Sequence, residues 1–103
     1  LMGKAPMAVI VCSDSTRVMG CDQRASTVDC SIAMSFMMLA ATAEGLGTCW
    51  IGGFTQEPLK EALGIPAEYD VVALTPLGYP AEEGRPRDRK PLEELVYKNG
   101  WKR

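Results

Sequence analysis

Met7 to Cys12 form a short unbroken apolar run, with Pro6 before it and Ser13-Asp14-Ser15 after it. Its length and its valine and isoleucine content predict a buried strand. Ser13 to Thr27 is mixed in polarity without a clear period, and reads as a loop with at most a helical turn. Asp29 to Glu44 is the strongest predicted element. Ser26-Thr27-Val28-Asp29 has the Ser-x-x-Asp spacing of a helix start, with the acid near the positive end of the helix dipole. Gly45 ends the helix, and Leu46 stands where a glycine-terminated helix makes its closing apolar contact. Between these ends Ile32, Phe36, Leu39 and Ala43 make one apolar stripe, and Ala33, Met34, Met37, Ala40 and Ala41 a second. Only Ser31, Ser35 and Thr42 soften a narrow seam. A helix that is apolar nearly all round has to be buried on every side. A chain of 103 residues can hardly enclose it alone. The pattern therefore calls for cover from a partner subunit or from sequence outside this chain.

Thr48 to Ile51 is a short strand candidate that runs into Gly52-Gly53. Thr55 is placed to cap a short helix through Leu63, with Pro58 tolerated in its first turn and Gly64 ending it. Val71 to Leu77 reads as a further strand, in which Pro76 suggests an edge position or a bulge. Ala81 to Lys90 is charged and rich in proline and glycine, a connecting loop. Pro91 to Tyr97 is a short helix or extended tail anchored by Leu92, Leu95 and Val96, and Trp101 needs a surface to pack against. The order is strand, long helix, strand, short helix, strand, tail. It fits one domain over residues 1–103, an α+β sandwich with the buried central helix packed on a small, mostly antiparallel sheet.

Hydrophobic residues make up 47% of the chain, a globular composition. The formal net charge of -2 gives no electrostatic reason to expect nucleic acid or an anionic membrane as a partner. The longest uncharged stretch, Cys30 to Ala43, is shorter than the ~20 residues that span a bilayer. Nor does the opening Leu1-Met2-Gly3-Lys4-Ala5-Pro6 follow the pattern of a secretory signal. The expectation is a soluble, cytoplasmic protein. A chain that starts on leucine is expected to be a processed or partial one. Cys12, Cys21, Cys30 and Cys49 form no Cys-x-x-Cys pair, and there is no histidine. These are expected to be reduced thiols filling small apolar gaps, with no metal site.

Gly45-Leu46-Gly47 followed by Gly52-Gly53 fails as a dinucleotide fingerprint. Trp50 stands where the third glycine is needed, and the order is helix, glycines, strand. Gly52-Gly53 after a short strand is more informative. Glycine lets a flat ligand approach the backbone and exposes N–H donors, which could bond the N5 and O4 edge of a flavin and favour the charge that develops there on reduction. The alternative is a tight turn between strand and helix. Arg85, Arg87, Arg89 and Lys90 form a basic cluster that could hold a cofactor phosphate, or could be a solvated connector. Met34, Met37 and Met38 read as core packing, with a planar ligand or an interface as the alternative. Without histidine no Ser–His–Asp or Cys–His arrangement is possible.

Ala5-Pro6 and the strand Val9-Ile10-Val11-Cys12 resemble the middle of nitroreductase-family proteins. So do Asp29-Cys30-Ser31-Ile32-Ala33 and the stretch from Leu39 to Phe54, which contains Gly45-Leu46-Gly47-Thr48-Cys49-Trp50-Ile51-Gly52-Gly53. Leu59 to Pro66, Val72 to Pro80 and Arg89-Lys90-Pro91-Leu92-Glu93-Glu94-Leu95-Val96 agree in the same order. Each piece alone is weak, but their joint order and spacing are specific, and they cover nearly the whole chain.

The resemblance implies the C-terminal half of a nitroreductase-like α/β sandwich, an obligate homodimer with the long helix in its interface, and FMN at that interface. It implies reduction in two stages: NADH or NADPH gives a hydride to the flavin, then a small electron-poor acceptor such as a nitroaromatic or quinone takes the electrons in the same site. By position Ile51, Gly52 and Gly53 would run along the flavin ring, and Arg87 and Arg89 would approach the FMN phosphate. Some family members carry an acidic residue where this chain has Gly52, so a role there falls to the backbone. The N-terminal half, with its arginine- and serine-rich phosphate grip, has no counterpart here. That leaves a second expectation, a truncated non-catalytic module that dimerises or binds a flavin without turnover.

Overall fold

The two apolar runs at opposite ends of the chain pair with each other. The computed structural model describes residues 4–101, which form β1 (Met7–Ser13), α1 (Ala25–Ala43), α2 (Gln56–Leu63), β2 (Asp70–Leu77) and α3 (Leu92–Leu95). β1 and β2 are antiparallel, with Met7 opposite Leu77, Ile10 opposite Leu74 and Ser13 opposite Asp70. The register slips between Val11 and Cys12, which face Ala73 and Val71, so Val72 is an extra residue in β2. The outer edge of β1 has no partner strand among the described residues.

The slip leaves Val71 with backbone groups to satisfy, and the first residue of α2 takes both. Val71 N–H donates to Gln56 Oε1 at 2.9 Å, and Gln56 Nε2 donates to the Val71 carbonyl at 2.7 Å. A side-chain amide thus replaces one rung of a ladder at a residue only 3% exposed. It also fixes α2 against β2. Lys60 Nζ, itself buried, donates to the Ala67 carbonyl at 3.0 Å and ties the helix to the loop that follows. Thr55 precedes α2 and Gly64, with φ at +70°, ends it, as the sequence indicates, although the Thr55 hydroxyl makes no capping bond.

α1 starts earlier than the sequence pattern suggests. Its cap residue is Arg24, and no side chain caps it. The N–H of Ala25 donates instead to the Arg17 carbonyl at 3.1 Å, across a loop closed by the Val18–Arg24 bridge. Arg24 then pairs with Asp70 at 2.8 Å, which moors the helix start to β2. Ser26 is therefore a buried residue inside the first turn rather than its cap, and no acid stands in that turn. The C-terminal end matches the expectation. Gly45 adopts φ +78°, its N–H donates to Thr42 O at 3.0 Å, and Leu46 N–H reaches Ala41 O at 2.9 Å.

The helix is buried on one side only. Met34 and Ala41 are enclosed against the sheet. On the opposite face Ile32, Phe36 and Leu39 are 50%, 67% and 66% exposed. Total burial of the rod is thus not achieved within this chain. At 19 residues with mean hydropathy 1.3, α1 is also long and apolar enough to cross a membrane by length and composition, unlike the shorter uncharged stretch read from sequence. The tail departs from expectation as well. From Tyr79 onward every described residue except Tyr97 is exposed, Leu92, Leu95 and Val96 among them, so they anchor nothing here. Trp101 stacks on Tyr97, with ring centroids 4.5 Å apart and planes 8° from parallel.

These exposures have a common measure. The chain exposes 8300 Å², whereas a compact chain of 11.2 kDa exposes about 5,700 Å². Its radius of gyration is 16.8 Å, against about 13 Å for a compact domain of this length. The bare face of α1 and the tail contribute to that surplus.

Replacing Gln56 with alanine would leave both backbone groups of Val71 without partners. Urea unfolding should show a loss of about 2–6 kcal/mol, from two buried groups at roughly 1–3 kcal/mol each. A loss below about 0.5 kcal/mol would mean that water replaces the amide.

Candidate functional site

Beyond α1 the chain returns to the sheet on the side of β2 away from β1. Gly47 bonds with Gly78, its N–H donating at 2.7 Å, and Ile51 bonds with Leu74 in both directions at 2.8 and 3.2 Å. The sequence suggests a continuous strand from Thr48 to Ile51, but only these two isolated bridges form. The reason lies midway. Counting inward from the bridges, Cys49 stands opposite Pro76, which has no N–H to give. The hydroxyl of Thr75 bridges the two groups that remain. It accepts from Cys49 N–H at 2.8 Å and donates to the Pro76 carbonyl at 2.8 Å. Pro76 is therefore neither on the free edge nor at the bulge. It lies in a central strand, where the neighbouring hydroxyl stands between the Cys49 N–H and the Pro76 carbonyl and bonds both.

The two glycines at Gly52 and Gly53 follow Ile51 directly and lead to Thr55 at the start of α2. Both are exposed, neither has a left-handed φ, and a Cβ built on either meets nothing within 4 Å. Glycine is thus demanded neither by a left-handed turn nor by crowding within this chain. Gly78 differs, because a Cβ there would lie 2.9 Å from Cδ of Pro6. Ile51 is half-buried and its main chain is fixed by Leu74.

Arg87 and Arg89 lie in the exposed irregular segment between β2 and α3. Neither makes an ion pair among the described residues, where the pairs are Arg24–Asp70 and Lys60–Glu57. No hydrogen bond joins either arginine to the Ile51–Gly53 segment among the described residues. A cavity of about 290 Å³ lies between α1 and the sheet, lined by Val9, Met37, Met38, Ala41, Thr75 and Leu77. Another of about 410 Å³ involves Pro6, Gly47, Cys49, Gly78 and Tyr79. None of the five sequence-predicted site residues lines either cavity. Of the methionines read as core, only Met34 is fully buried. Met37 and Met38 border the first cavity.

All four cysteines are free thiols, but they do not fill gaps as expected. Cys21 and Cys49 are exposed, Cys12 and Cys30 half-buried. Burial pushes the Cys30 thiol above its ordinary range, and Cys12 and Asp29 push in the same direction. A thiol so placed stays neutral near pH 7 and is a poor nucleophile. Thr75 is the residue that sequence reasoning passed over. Its signal was present: a hydroxyl immediately before a proline inside a strand.

The nitroreductase family model matches residues 1–79. Among curated relatives, an NADH dehydrogenase of Thermus thermophilus is 43% identical over 65 residues, covering 63% of this chain and 32% of its own length. A nitroreductase family protein of Clostridium difficile 630 superposes with a TM-score of 0.83 at 26% identity, over 97% of this chain and 63% of that one. An FMN-dependent nitroreductase from a second strain of that organism gives 0.75 at 26% identity, over 94% and 59%. The chain spans less than half the length of the curated relatives it matches. Its two-stranded antiparallel sheet and packed helix give the α+β nitroreductase fold, and with the match over residues 1–79 the chain belongs to the nitroreductase family.

Proposed function

We propose that this chain is the C-terminal half of a cytoplasmic, homodimeric flavin enzyme that carries electrons from NADH or NADPH through FMN to a nitroaromatic, quinone or similar acceptor. Membership of an oxidoreductase family sets the frame. The observation that carries the reading is the open backbone at Gly52 and Gly53, glycines that nothing in this chain requires. A bare backbone at the end of a pinned segment suits the rim of a planar ring, and its N–H groups would favour negative charge on the ring edge. When bound, FMN supplies the two-electron chemistry that no side chain here supplies. Arg87 and Arg89, unpaired among the described residues, have guanidinium groups free for a phosphate. The bare stripe of Ile32, Phe36 and Leu39 supports a second copy as the cover of α1. The surplus of roughly 2,600 Å² over a compact chain exceeds the ~800 Å² that each partner gives to a standard interface.

A second reading is a dimerising or flavin-binding module without turnover. Its dimerising form is favoured by the cavities, neither of which includes the candidate flavin residues. One experiment separates the two. Protein containing residues 1–103 is titrated with FMN and then supplied with NADH or NADPH and a quinone. Bound flavin absorbance with nicotinamide oxidation supports the enzyme, and bound flavin without oxidation supports the module. A dimeric preparation that binds no FMN overturns both flavin readings.

Two substitutions probe the parts. Exchanging Arg87 and Arg89 together for alanine should weaken FMN binding by at least about tenfold and leave riboflavin, which has no phosphate, unaffected. Equal loss for both ligands would remove the arginines from a phosphate role. Phe36→Asp puts a charge in the bare apolar stripe and should shift sedimentation velocity from dimer to monomer. A dimer unchanged by it would place the interface elsewhere.

A further inference from the structure

We infer that Thr75 is a positioning residue for the flavin-facing backbone, an assignment that rests on the flavin reading of Gly52 and Gly53. The segment from Gly47 to Gly53 is attached to β2 at three places. Gly47 bonds Gly78, Ile51 bonds Leu74, and between them Cys49 N–H donates to Thr75 Oγ1. The middle attachment is the only one made by a side chain. Without it the stretch would cross the proline with nothing between its end bridges, and the Cys49 donor and the Pro76 carbonyl would lose their shared partner.

The hydroxyl itself is rigidly set. Thr75 is 2% exposed, it accepts one bond and donates another, and its β-branched side chain has little rotameric freedom inside a strand. Its geometry fixes the height of Cys49 above the sheet two residues before Ile51 and three before Gly52. Gly52 and Gly53 have no side chains to hold them and no neighbour within 4 Å of a Cβ position. Their N–H directions are therefore set by the attachments on either side, Cys49 and Ile51 upstream and Gln56 on Val71 downstream. Displacement of a donor by about 1 Å is enough to impair a preorganised site severely. Thr75 acts through the main chain and makes no contact with the ring itself.

The test uses three proteins: wild type, Thr75→Val, which keeps the shape and loses the hydroxyl, and Thr75→Ser, which keeps the hydroxyl and loses the methyl. Wild type must bind FMN for the flavin reading to stand, so a wild type that binds none refutes that reading and this one separately from any variant. Given binding, Thr75→Val should weaken FMN by tenfold or more and move the reduction potential of the bound flavin. Thr75→Ser should restore both to within about threefold of wild type. Hydrogen exchange on the flavin-free wild type provides a measurement that needs no variant to fold: Cys49 N–H should be protected to the same order as Ile51 N–H. Fast exchange at Cys49 would overturn the assignment. So would a folded Thr75→Val that binds FMN at wild-type affinity and potential, or a Thr75→Ser that fails to rescue.

Discussion

β2 is buried from both faces, and the rest of the chain is arranged around that fact. Val71, Ala73, Leu74, Thr75 and Pro76 are all buried, and because side chains alternate along a strand these residues serve both surfaces. β1 covers one edge of it, the Gly47–Ile51 segment the other, and Met34 seats the long helix against the sheet. A strand placed so centrally must have each backbone group satisfied. It carries two irregularities, the slip at Val72 and the proline at position 76. Each is repaired by a polar side chain from close by, Gln56 in one case and Thr75 in the other. The positions of α2 and of the glycine segment follow from these two repairs.

Much of this was legible in the residues. The apolar run at Met7 and the one at Val71 declared strands through composition and length. Gly45 and Gly64 ended their helices where a left-handed residue was needed, and the structure gives both that conformation. What could not be read were features that depend on partners distant in sequence. Ser26 carried the local signature of a cap, but Arg17 supplied the acceptor and Arg24 found Asp70, 46 residues away, so the helix began at Ala25. Pro76 suggested an edge position or a bulge, whereas the hydroxyl of Thr75 lets it sit in a central strand. Leu92, Leu95 and Val96 had the spacing of an anchor, yet they stay exposed among the described residues.

The candidate site was legible in part. Order and spacing nominated Ile51, Gly52 and Gly53, and the backbone at the two glycines is open. Arg87 and Arg89 were chosen for their chemistry, and they lie in an irregular exposed segment with no ion pair among the described residues to fix their direction. The difference is physical. A glycine pair next to a bridged residue has its place set by the sheet, whereas an arginine in a loop acquires one only from what it binds.

The outer edge of β1, which has no partner strand among the described residues, has its own consequence. Alternate residues of this seven-residue strand, which has neither a charge nor a proline, present main-chain donors and acceptors to the surroundings, with no charge along the strand to repel a like segment. In concentrated solution such an edge invites stacking between neighbouring molecules into growing sheets. Handling of this polypeptide is thus governed as much by that ribbon as by its greasy helix, and a lysine placed at an outward-facing position along it would improve solubility without touching the interior.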